Sequence, residues 1–110
     1  MIKRVLFAVL IFAAPFRPVS AQDAKVSVDM VGIGGMSCVH WRSTQEHLLE
    51  GTVWIYGFWT GLNYVAAASD QTQAKIDVAA IVAEVKTTCA QQTSQTLASA
   101  VWATYLGFKR

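Results

Sequence analysis

Apolar and polar positions fall along this chain in blocks, and the spacing inside each block predicts the element it forms. An apolar run from Val5 to Phe16 follows Lys3 and Arg4. Val26, Val28 and Met30 then alternate with Ser27 and Asp29, the period of a brief strand or an extended arm. Gly32, Gly34 and Gly35 interrupt that pattern and predict a flexible break, so the packed domain is expected to begin near Met36. Ser37 suits the N-cap of a short helix through Cys38-Val39-His40-Trp41, with Trp41 covering the core edge.

The dominant block runs from Gln45 to Ala68. At 100° per residue Leu48, Ile55, Trp59, Leu62 and Ala66 share one arc, flanked by Trp54, Phe58 and Val65. Glu50, Tyr56, Thr60, Asn63 and Tyr64 lie opposite, so the pattern predicts a long helix with one buried face and a weakly polar back. Ser43 or Thr44 can cap it, and Glu46 stands at the capping-box spacing from Ser43. Gly57 and Gly61, four apart on the back, allow close approach of another element, in a core or across a dimer interface. No charge occurs from Gly51 to Ser69, but Thr52, Tyr56, Thr60, Asn63 and Tyr64 and three glycines argue against a membrane span.

Two more helical blocks follow. Residues 69–74 form a polar connection in which Asp70 or Thr72 can cap the next helix. Val78, Ile81, Val82, Val85 and Cys89 share one face of that helix, while Lys75, Glu84 and Lys86 keep off it. Ser94 can cap the last helix, in which Leu97, Val101, Tyr105 and Phe108 form the main stripe and Gly107 a stop signal. Trp102 and Leu106 make a second stripe suited to a partner. The expected fold is all-α: a small single-domain bundle of about four helices.

Charge and compartment change this picture in one direction. Lys3-Arg4, the short apolar run and Val19-Ser20-Ala21 read as a signal peptide over residues 1–21, an uncleaved anchor being the alternative. Nine basic and seven acidic residues make the whole chain slightly positive; losing Lys3, Arg4 and Arg17 leaves six against seven. The near-neutral remainder lacks the basic footprint of a nucleic-acid binder. It also lacks proline, since Pro15 and Pro18 leave with the leader. A domain of this size is marginal without a staple, and in an exported chain Cys38 and Cys89 are the candidates for one disulfide, free thiols being the alternative. Closing that loop stabilises by about 4 kcal/mol in the chain-entropy model.

Candidate chemistry is sparse. His40 and His47 lie seven apart beside Glu46 and Glu50, a combination better suited to pH response than to a metal. No nucleophile elbow, zincin motif, phosphate loop or pair of catalytic carboxylates is present, so neither enzyme activity nor a cofactor is expected.

Ser37-Cys38, Tyr56-Gly57-Phe58 through Leu62-Asn63, Asp77-Val78 leading to Ile81-Val82, then Cys89 and the segment from Leu97 to Val101 together resemble the HdeA-like family of periplasmic acid-stress proteins. The resemblance covers most of residues 36–105. It implies a periplasmic, single-disulfide helical domain over 36–110, preceded by a flexible arm over 22–35. Such proteins are often dimeric, and in their acid-stress members low pH opens the dimer and exposes apolar surface that holds unfolding client proteins. Carried onto this sequence, the switch falls on Glu46, Glu50, Asp70, Asp77 and Glu84, and the client surface on Trp54, Phe58 and Trp59. The chain departs from that family in being only 15% charged. Immunity proteins that block a secreted toxin are similar in build and give the rival expectation, with Trp102 and Leu106 as the partner surface; a structural envelope subunit is a third.

Overall fold

The structure is a computed structural model that describes residues 28–109; the expected leader and residues 22–27 lie outside the described residues. A 3-10 turn (Gly32–Gly35) precedes helices α1 (Cys38–Trp41), α2 (Gln45–Ala68), α3 (Val78–Gln91) and α4 (Leu97–Phe108). The all-α expectation therefore holds among the described residues, where the single β-bridge joins Ser37 to Thr96.

α2 is the axis. Its 24 residues, about 36 Å of helix, bury Gly51, Ile55, Trp59 and Ala66, with Leu48, Trp54, Phe58 and Leu62 packed at the margin of the core. Thr44 caps it by accepting from the His47 N–H at 3.0 Å. Ser43 instead donates to the His40 carbonyl at 2.7 Å, so the expected box between Ser43 and Glu46 does not form. Trp41 is fully buried and donates its indole N–H to the Leu48 carbonyl at 3.1 Å. Gly51 lies against that indole, where any Cβ would collide with the ring.

At its far end α2 closes in a Schellman motif. The Gln71 N–H reaches the Ala66 carbonyl at 2.7 Å and the Asp70 N–H reaches that of Ala67 at 3.3 Å, with Asp70 left-handed at φ 56°. Asp70 thus terminates α2 and does not start α3. Asp77 occupies the N-cap of α3 without a side-chain bond. The connection stays out of α3 because α2 grips it. The Trp59 indole donates to the Ala74 carbonyl at 3.0 Å, and Asn63 Oδ1 accepts from the Ala74 N–H at 3.1 Å and from the Tyr105 hydroxyl at 2.8 Å. Asn63, expected on the polar back, is instead an internal polar hub.

α3 buries Ile81, Val85 and Cys89, while Val78, expected on the same face, is exposed. α4 is capped by Thr96, not Ser94, and buries Leu97, Ala98, Ala100, Val101, Thr104 and Tyr105. It runs through Gly107 to Phe108. Cys38 and Cys89 form the expected disulfide, 1% exposed at each end with Cα atoms 5.6 Å apart. Beside it the Cys38 N–H donates to the Gln95 carbonyl and the Leu97 N–H to that of Met36, both at 2.8 Å.

The glycine run does not behave as a flexible break. Ile33 and Gly34 are buried, and Gly34 lies under the Trp54 indole, where a Cβ would meet the ring. The packed domain therefore starts before Met36, because only a residue without a side chain lets the backbone lie flat on Trp54.

Candidate apolar binding groove

Two of the aromatic residues expected at a partner surface meet across one groove. Phe58 comes from α2 and Trp102 from α4; Val28 and Met30 form a wall, and Ala98 with the hydroxyl residues Thr96 and Ser99 completes the lining. The groove encloses about 590 Å³, within the range of sites that hold small ligands or a few side chains. No charged residue lines it.

Each wall is held by identifiable contacts. The Trp54 indole donates to the Val31 carbonyl at 2.9 Å, tying the extended segment to α2. Its ring packs against Phe58 with centroids 4.9 Å apart, which fixes the Phe58 orientation. Trp102 stacks nearly parallel to Tyr105, itself anchored to Asn63, yet stays 47% exposed. Thr96 Oγ1 donates to Ser99 Oγ at 3.0 Å while accepting from the Ser99 N–H, so these hydroxyls serve the helix cap. The site thus offers a rigid apolar surface. It contains no paired acid and base and no activated nucleophile.

The remaining expected residues do not gather there. Trp59 is 3% exposed and committed to Ala74, so in this folded state it is core and not client surface. Leu106 is half-buried and lies outside the groove lining. His40 and His47 do meet, their rings stacked 4.1 Å apart, with His47 Nδ1 3.0 Å from Ser43 Oγ. Glu46, Glu50, Asp70, Asp77 and Glu84 are all exposed and spread over α2, the following connection and α3. These five carboxylates therefore form no single cluster among the described residues. Among the described residues no group of three or more His, Cys, Asp or Glu side chains could hold a metal ion, and no helix is long and apolar enough to cross a membrane.

Sequence reasoning missed Val28, Met30 and Ala98 as groove residues. The alternation through Val28 and Met30 was the available signal, but it carries no information about a partner 70 residues away in the chain.

No family model matches this chain, and neither does any curated protein or solved structure.

Proposed function

We propose that this chain is an exported, non-enzymatic binding protein of HdeA-like build that holds apolar segments of unfolding proteins in the groove between Phe58 and Trp102. The observation that carries this reading is an uncharged, preformed apolar groove on a disulfide-stapled domain, with a tryptophan half exposed at its edge. A buried disulfide accords with an oxidising compartment, and the basic-then-apolar amino terminus accords with export to the periplasm. The groove exists in the folded protein, and the acidic residues are dispersed, so binding through it does not wait for acid opening.

Light scattering of a denaturing client, at neutral pH and at about pH 3, tests the proposal. Suppression of aggregation at both pH values, lost on Trp102→Ala, is expected; failure at both with the disulfide intact refutes it. The exposed Trp102 also fits a second reading, inhibition of a secreted toxin. That reading predicts a tight one-to-one complex at neutral pH and no effect on general clients.

A further inference from the structure

The alternation through Val28 and Met30 finds no sheet to join among the described residues, and it lies along the groove. Val28 and Met30 line the groove while Asp29 between them does not, the two-residue alternation of an extended chain. Val31 continues it at φ −100° and ψ 126°. The segment is fixed in place. Trp54 holds the Val31 carbonyl, and Met30 lies against Gly35, where an added Cβ would stand 3.2 Å from the Met30 Cβ. Yet the main-chain groups of Val28, Asp29 and Met30 take no main-chain partner among the described residues, and the β-bridge from Ser37 to Thr96 does not involve them. A strand edge left without a neighbour is a template for another chain.

We infer that the groove takes its occupant as an added β-strand: an extended polypeptide segment that bonds to the main chain of residues 28–30, sets apolar side chains at alternate positions against Phe58 and Trp102, and presents a lysine or arginine to Asp29 on its other face. This rests on the groove reading above and names the chemistry of what the groove holds. Two observations carry it. The first is the open edge. An extended segment laid along 28–30 pairs those main-chain groups as it covers them, whereas a helix, its own groups already paired, would cover them and leave them without partners. The second is charge. Residues 28–36, α2 from Gly51 to Ala68 and residues 92–108 supply every wall of the groove, and Asp29 is the one formally charged residue among them. Its exposed carboxylate lies on the face of the segment opposite Val28 and Met30. A residue across from it on an added strand is therefore favoured when basic and disfavoured when acidic. Because Trp54 and Gly35 already hold the segment, pairing does not have to order it first. The preferred part of an unfolding protein is thus a strand with one apolar face and one basic face.

Tryptophan fluorescence of the oxidised protein reports the binding of peptides about seven residues long, in which valine alternates with lysine, serine or glutamate. The lysine peptide is expected to bind tightest and the glutamate peptide about fivefold or more weaker. Asp29→Asn, at an exposed position, should abolish that difference and leave the serine peptide unchanged. Methylating alternate amide nitrogens of the lysine peptide removes its main-chain donors along one edge or the other. One of the two methylated forms should bind about tenfold or more weaker, and the other as well as the parent. Saturation with the lysine peptide should also slow amide hydrogen exchange at residues 28–30. Methylated forms that both bind like the parent, or unchanged exchange at 28–30, overturn the added strand; equal affinity for the lysine and glutamate peptides overturns the role of Asp29. Failure of the groove reading looks different, because then no peptide binds and Trp102→Ala leaves the suppression of client aggregation untouched. If clients are held through Trp102 yet the lysine peptide does not bind, the strand inference alone falls.

Discussion

Replacing Asn63 by leucine is the sharpest test of how this bundle is held together. One oxygen, Asn63 Oδ1, accepts from the Ala74 N–H at 3.1 Å and from the Tyr105 hydroxyl at 2.8 Å, joining α2, the connection before α3 and α4. Ala74 and Tyr105 are 3% and 2% exposed, so water has little access to either donor once the acceptor is gone. Stranding a buried donor costs about 1–3 kcal/mol, and two of them cost about 2–6 kcal/mol out of the 5–15 kcal/mol typical of a domain. Urea unfolding of the oxidised protein, followed by tryptophan fluorescence, should show a midpoint lowered by about 1 M or more at unchanged slope. Tyr105→Phe removes one donor and leaves Asn63 bonded to Ala74, so about 1 kcal/mol is expected. In the double variant no hydroxyl is stranded, and its loss should fall short of the sum of the two singles by about 2 kcal/mol or more. Asn63→Asp keeps the accepting oxygen and should be milder than leucine at neutral pH. A carboxylate held by two donors favours the folded state, so that margin is lost as acid protonates it. A leucine variant within about 0.5 kcal/mol of wild type, or strictly additive losses, would refute the hub.

Four further outcomes are expected. Gly51→Ala should destabilise by about 1–2 kcal/mol in a urea titration, because overpacking against the immobile Trp41 outweighs the gain in helix propensity, whereas Gly57→Ala should raise monomer stability by up to about 1 kcal/mol. Replacing both Cys38 and Cys89 by alanine should cost about 4 kcal/mol, measured against the oxidised parent, since the bond spans 51 positions. Trp102→Ala should leave the thermal midpoint nearly unchanged but weaken client or peptide binding tenfold or more by fluorescence titration.

The long charge-free block with its 3.6-residue period is enough to read α2 from the sequence, including the Thr44 alternative for its cap, and the expectation of export is enough to favour pairing the cysteines over leaving them as thiols. The caps of α3 and α4 were read too early. Asp70, Thr72 and Ser94 satisfy the same local rule as Asp77 and Thr96, and tertiary contacts choose among them: Ala74, seized by Trp59 and Asn63, keeps the chain from coiling until Asp77. The periodicity of α2 puts Trp59 on its buried face, as found, and only the family resemblance adds that ring to a client surface with Trp54 and Phe58. The glycines at 32–35 read as slack because the large flat ring that requires Gly34 lies 20 positions further on. The groove itself has no local signature, for its walls come from positions 28–30, 58 and 96–102.

The share of the core that α4 supplies bears on how the bundle comes apart. Leu97, Ala100, Val101 and Tyr105 are at most 2% exposed and belong to the same cluster as Trp41, Ile55 and Val85. Without residues 97–108 that cluster lacks its far wall and Asn63 has no tyrosine to hold. Loss of the α4 packing therefore dismantles the whole core, so the bundle comes apart in one step and not helix by helix.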